Sequence, residues 1–231
     1  MQLIDPSKAC YVVVDMETTG LDVHFDLPLE MGVGIFDGDL NELAMNSWLI
    51  RPDNGWRERL DANEYVKDMH TKNGLIADIT NLPEFYYETD AEGKQHTMTY
   101  DLPMISYQVW RWLTEKCGLE ANKFPMTGSS VGSLDRPFMR DYLPAAHGFF
   151  TYRSIDISSI KELCKRLNPK LYSELAASPL ALDANKAHRV RDDIRASVAE
   201  LKFYIDHFLN VQSKEVSVIG QAELPLFPDI V

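Results

Sequence analysis

The stretch Cys10-Tyr11-Val12-Val13-Val14-Asp15-Met16-Glu17-Thr18-Thr19-Gly20-Leu21 decides the reading of this chain. Its first six residues are a β-branched run of strand length that closes on a carboxylate. Side chains alternate between faces along a strand, so Asp15 and Glu17 share one face wherever the strand persists that far. Two carboxylates held so close repel, and one pKa rises unless a cation compensates. Taken alone, the Asp-x-Glu pair is weak evidence, and a solvated strand end entering the Thr18-Thr19-Gly20 turn is the better account of it.

Working outward, β-rich stretches at 29–36 and 43–50 follow at close spacing. The turn residues Thr19-Gly20 and Asp37-Gly38-Asp39 separate them, which predicts a three-stranded antiparallel meander. Helical periodicity then takes over. Ile105, Val109, Trp112 and Leu113 fall on one face of a helix beginning near Pro103. A short strand at 124–127 precedes a Gly/Ser loop, 128–133, and a helix entered at Asp135 with Pro137 in its first turn. Ile160, Leu163, Cys164 and Leu167 mark a helix capped by Asp156, and Ile194, Val198, Leu201, Ile205 and Phe208 mark the last one. Strands followed by alternating helices and short strands give an α/β class with a mixed sheet covered by helices. Residues 82–104 read as an exposed inserted hairpin around Glu88, Asp90, Glu92 and Gly93, and 209–231 as a tail.

The 231 residues are 45% apolar and 25% charged, enough for one sizeable core. Asp and Glu number 35 against 23 Lys and Arg, a formal net charge of −12. That excludes a protein that holds long nucleic acid mainly by phosphate neutralisation, which needs many cations. It leaves room for a nucleic-acid enzyme whose positive charge comes from bound metal. Cys10, Cys117 and Cys164 are widely spaced, so neither a disulfide framework nor a zinc knuckle is indicated, and reduced thiols in the cytoplasm are expected. No apolar run is long enough to span a bilayer, and the first residues do not read as a secretory signal.

Three further residues bear on chemistry. Asp135 stands at the start of a helix, where Asp is favoured as a cap but can also reach a metal. His188 and Asp193 lie in His188-Arg189-Val190-Arg191-Asp192-Asp193. Five helical residues turn through roughly 500°, so the two would not share a helical face. His188 is therefore expected on the loop entering the last helix, with Asp193 bordering its buried stripe. Asp192 and Asp193 also suit the positive end of that helix dipole.

The order Asp15-x-Glu17, Thr18-Thr19-Gly20-Leu21, Asp135, then His188 five residues ahead of Asp193 resembles the DEDDh branch of the DnaQ-like 3′→5′ exonucleases, with the nearest likeness to the oligoribonucleases. Met69-His70-Thr71-Lys72-Asn73-Gly74-Leu75, Tyr152-Arg153 with 156–163, and 192–201 support it. Together they place an exonuclease domain at 1–208. The resemblance implies a ribonuclease H-like fold with a mixed five-stranded sheet flanked by helices. It implies that Asp15, Glu17, Asp135 and Asp193 hold two divalent ions, Mg²⁺ or Mn²⁺, which prefer carboxylate oxygen. His188 would take the proton from the attacking water, a task suited to a side chain titrating near neutrality. Two such ions can polarise the phosphate, activate water and stabilise the leaving oxygen.

The same resemblance implies that Thr18, Leu21 and Leu75 meet the terminal nucleotides of a single-stranded 3′ end, the leucines wedging its bases. Ser130, Arg153, Ser158 and Ser159 would surround a phosphate, the two serines sitting near a helix start. Tyr152 matches a tyrosine donated across a homodimer interface. Between Ser130 and Asp135 this chain runs one residue longer than the family pattern. The segment Gln221-Ala222-Glu223-Leu224-Pro225-Leu226-Phe227 resembles peptides that dock on the bacterial sliding clamp, through Gln221, Leu224, Leu226 and Phe227.

The expected activity is thus 3′→5′ hydrolysis of short single-stranded oligonucleotides to 5′-mononucleotides. A clamp-recruited, proofreading-type DNA exonuclease is the second reading, and a non-catalytic acidic or nucleic-acid-mimicking module the third. A dinucleotide-binding enzyme is disfavoured because Gly32-Val33-Gly34 is followed by Asp37 where a third glycine belongs, and 128–132 lacks the Lys-Ser/Thr of a phosphate loop.

Overall fold

A computed structural model describes residues 3–52, 55–90, 92–177 and 188–209. Its centre is a five-stranded sheet of order β3-β2-β1-β6-β7. The strands are β1 (Tyr11–Thr18), β2 (Pro28–Phe36), β3 (Glu42–Leu49), β6 (Met126–Gly128) and β7 (Ser154–Asp156). β1 to β3 form the expected antiparallel meander, while β6 and β7 join in parallel. The sheet is therefore mixed and flanked by helices, as expected. β1 lies at its middle and runs on through Glu17, so both acids stand on one strand.

The alternation along β1 assigns each face its partner. Val12, Val14 and Met16 point into a core built with Ile105 and Val109 of α4 (Leu102–Arg111), with Leu113 just beyond it, and with Phe138 and Met139 of α5 (Asp135–Tyr142). Val13 points the other way, onto Ile157 and Cys164 of α7 (Ile157–Leu167) and onto Ile194, Val198 and Leu201 of the last helix, α9 (Val190–Phe203). Asp15 and Glu17 share the parity of Val13 and so lie on the α9 face. A third cluster packs Leu27 and Leu29 against α1 (Trp56–Ala62) and α3 (Leu75–Thr80), with α2 (Glu64–Lys72) between them in the chain. α4 and α9 each continue into a wider, π-type turn, Trp112–Lys116 and Tyr204–Phe208.

Several helices surpass the sequence reading. α1 to α3, the short α6 (Pro144–His147) and α8 (Pro169–Ala176) are each nine residues or fewer and are not among the helices the sequence reading expects individually. The hairpin is narrower and less exposed than 82–104 suggested. It comprises β4 (Tyr86–Thr89) and β5 (Gln95–Met98), while Leu102 already belongs to α4. It is fastened to α4 by Glu88 with Arg111 at 2.7 Å and by Tyr86 Oη donating to Gln108 Oε1 at 3.0 Å. Among the described residues, no helix is long and apolar enough to cross a membrane.

Candidate active site

The site is assembled where the C-terminal end of β1 meets the first turn of α9. Asp15, Glu17 and Asp193 each offer a carboxylate oxygen, and these oxygens lie within 4.8 Å of one another. Helix α9 reaches the sheet this closely because β2 carries glycine opposite β1. Gly32 faces Asp15 in the antiparallel register, and a Cβ there would stand 2.7 Å from Val190 Cβ and 2.9 Å from Ile194 Cδ1. At Gly34, a Cβ would stand 3.0 Å from Ile194 Cγ2.

Burial and mutual repulsion shape the protonation of these acids. Asp15 is pushed well above the usual carboxylate range, first by desolvation and then by Asp135, Glu17 and Asp193. Glu17 is buried and raised to about 9 by desolvation, by the Asp193 charge and by a hydrogen bond shared with Asp193. Asp193 is raised by desolvation, with the Glu17 hydrogen bond and nearby His188 acting in the opposite sense. Carboxylates forced together at the edge of a core are suited to a hard divalent cation, which removes the repulsion and accepts oxygen donors.

Asp135 is the fourth acid and stands slightly apart. The cap position of α5 is taken by Leu134, and Asp135 is the first helical residue, so its expected capping role is not what holds it. Its buried carboxyl accepts its own backbone N–H and that of Met16, and the second bond ties α5 to the strand between the two β1 acids. Desolvation raises it to about 7. It belongs to the same electrostatic group through Asp15, while lying outside the mutual 4.8 Å set of the other three.

His188 precedes α9, as its spacing from Asp193 predicts. It adopts a left-handed backbone, φ +40°, and its carbonyl accepts a hydrogen bond from Asn73 Nδ2. Ser130 and Ser158 also come together: Ser158 Oγ accepts the Ser130 N–H at 2.9 Å and lies 3.0 Å from Ser130 Oγ. The Ser159 N–H is taken by the Asp156 cap at 3.2 Å. Tyr152 is 79% exposed, with the Arg153 guanidinium 4.6 Å over its ring. Leu21 is 78% exposed on the loop after β1. Leu75 corrects the expectation placed on it. It is fully buried with Leu29, Leu60 and Ile79, so its side chain packs α3 instead of reaching a base. Gln221, Leu224, Leu226 and Phe227 lie outside the described residues.

The structure adds residues that the sequence reading passed over. His70 is fully buried, with Nε2 3.0 Å from the Thr18 carbonyl and 3.8 Å from Glu17 Oε2. A carbonyl only accepts, so Nε2 carries the hydrogen, and burial lowers the pKa of the ring. Thr18 is thus held by its carbonyl, while its hydroxyl donates to the Gly20 carbonyl. Arg189 forms a two-pronged ion pair with buried Glu30. An acid inside the apolar run of β2 and a cation beside His188 were the available signals.

No family model matches the chain. It is 30% identical over 200 residues to the oligoribonuclease of Aeromonas hydrophila subsp. hydrophila, covering 87% of this chain and 96% of that protein. It is 34% identical over 194 residues to the oligoribonuclease of Leifsonia xyli subsp. xyli, covering 84% and 81%. To the mitochondrial oligoribonuclease of Homo sapiens it is 33% identical over 217 residues, covering 92% and 79%. Among solved structures, exonuclease I of Methylocaldum szegediense matches with a TM-score of 0.57 at 14% identity, over 86% of this chain and 41% of that one. E. coli exonuclease I bound to an oligonucleotide matches with a TM-score of 0.53 at 12% identity, over 87% and 41%. The chain spans about two-fifths of those exonuclease I chains, and the likeness is one of fold.

Proposed function

The chain belongs to the oligoribonuclease family of DnaQ-like exonucleases, and from that premise we propose how its acids and His188 divide the work. It is a 3′→5′ exonuclease that acts on short oligonucleotides. The observation that carries the reading is the convergence of Asp15, Glu17 and Asp193 within 4.8 Å. With Asp135 they form the proposed ligand set for two ions, Mg²⁺ or Mn²⁺. When bound, such ions polarise the scissile phosphate and stabilise the departing oxygen.

The chain's own groups do the rest. His188 receives the proton of the attacking water, which its place before α9, close to Asp193, supports. The Ser130 and Ser158 hydroxyls, with Ser159 and Arg153, orient a phosphate of the bound strand. Thr18 and the exposed Leu21 receive the terminal nucleotide. Tyr152 completes the site from a second copy of the chain, which its exposure supports. Residues 1–208 form the exonuclease domain and 209–231 its tail. The cytoplasm is the proposed location, supported by the three free thiols.

RNA is the proposed substrate, on the strength of family. Matched RNA and DNA ladders labelled at either end, from dinucleotides upward, test it with Mg²⁺, Mn²⁺ or chelator. Stepwise loss of 3′ mononucleotides from RNA, abolished by chelator, is expected. Faster digestion of DNA would overturn the sugar preference. The Gln221 to Phe227 peptide favours the second reading, recruitment to a sliding clamp and DNA 3′ ends. Pull-down with a bacterial clamp, lost on Leu226→Ala with Phe227→Ala, would support that reading. Light scattering tests the second copy: a monomer of full activity would exclude the Tyr152 role.

A further inference from the structure

We propose that Arg189 is a positioning residue for His188, acting through a clamp formed with Glu30, Asp78 and Asn73. The inference rests on the assignment of His188 above and deepens it. His188 holds a left-handed backbone, φ +40°, which side chains with a Cβ adopt rarely and keep only where their surroundings hold them. The neighbouring groups supply that hold. Asn73, at the end of α2, donates its amide to the His188 carbonyl. One residue on, Arg189 Nε and Nη2 donate to the two oxygens of Glu30 at 2.9 and 3.1 Å, and Nη1 donates to Asp78 Oδ2 at 2.8 Å.

The anchors are unequal, and this is informative. Glu30 is 3% exposed near the start of β2, directly opposite Glu17. Asp78 lies on α3 and is exposed. A planar guanidinium bound to a carboxylate by two parallel hydrogen bonds is fixed in direction as well as distance, which a lysine cannot reproduce. The backbone at 188–189 is thereby referenced to the strand position facing a proposed metal ligand. His188 is set relative to the acids by the sheet itself, and Asn73 and Asp78 tie the same peptide to the α2–α3 pair. A purely electrostatic role, in which Arg189 only neutralises Glu30 beside the acids, predicts different kinetics and is separated by the test.

The test is a double-mutant cycle on the full-length chain, using Mg²⁺ and a short RNA, with single-turnover rates read above a protein-free blank. Arg189→Ala should lower kcat on the order of 10- to 100-fold, as loss of an orienting partner does, and leave KM within about twofold. Added guanidinium should restore part of the rate. In a His188→Ala background the same substitution should cost nothing further, because its effect passes through the imidazole. Full activity of Arg189→Ala, or losses that multiply in the His188→Ala background, would overturn the clamp. Should Arg189→Ala fail to fold by circular dichroism, Glu30→Gln carries the same cycle with the same two outcomes. A His188→Ala protein with wild-type kcat would instead overturn the assignment of His188, a distinguishable failure.

Discussion

Glu17 on β1 stands directly opposite Glu30 on β2, and the two buried acids have different partners. Glu30 is met by Arg189, whereas Glu17 faces Asp15 and Asp193. In metal-free protein this difference appears as a pH dependence of stability. The Glu17 carboxyl keeps its proton up to about 9 when folded, against an ordinary 4.5 when unfolded. Between those values the folded state binds more protons, so stability falls as pH rises and is greatest below the unfolded value. Thermal melts in chelator from about pH 5 to about pH 9 should show a steady fall in Tm, flattened by Glu17→Gln. An equally steep fall in that variant would contradict the account.

Divalent ions should reverse the trend. A ligand that binds only the folded state stabilises it by mass action, about 2.7 kcal/mol at a hundredfold excess over Kd. Mn²⁺ or Mg²⁺ added to chelator-treated protein should therefore raise Tm, most clearly at alkaline pH where the acids are ionised. Asp193→Asn removes one of the three converging carboxylates. It should lose most of the metal-induced shift and turnover with it, while circular dichroism stays unchanged. Metal-dependent cleavage surviving in this variant would remove Asp193 from the ligand set.

The two leucines expected to behave alike should separate. Leu75 is wholly buried against Leu29, Leu60 and Ile79, and Leu75→Ala should cost about 2–5 kcal/mol in urea denaturation. Leu21 is exposed, so Leu21→Ala should change stability by no more than about 0.5 kcal/mol. Its effect should fall on KM for short oligonucleotides. Unchanged kinetics would exclude a base contact.

What the sequence made legible follows from how local each signal is. Alternation along 10–17 and the turn at 37–39 act within a few residues, so the meander and the shared face of Asp15 and Glu17 were readable. The spacing of His188 and Asp193 excludes a shared helical face, so one is expected on a loop and the other on a helix. Leu75 was misread because burial is decided by what α3 packs upon, and the sequence is silent about that. Asp135 was readable as a helix start but not as an acceptor for Met16, a contact across more than a hundred residues. The Gly32-Val33-Gly34 run reads in sequence as an incomplete dinucleotide motif, although its use is steric.

That steric use makes the last prediction. A methyl at position 32 would lie 2.7 Å from Val190 Cβ and 2.8 Å from Val190 Cγ2, too close for either to remain in place. Overpacking of this kind typically costs about 1–3 kcal/mol, so Gly32→Ala should still fold. To make room, the first turn of α9 must lift from the sheet, and Asp193 lies in that turn. Catalysis should then fall more than stability does, because ligand distances tolerate displacement poorly while the rest of α9 keeps its packing through Val198 and Leu201. Adding Val190→Gly removes the obstructing Cβ and should recover part of the activity, despite about 1 kcal/mol of helix propensity lost. Comparing kcat with urea midpoints for the single and double variants decides the matter. Activity that tracks stability in both would mean that Gly32 serves the fold alone.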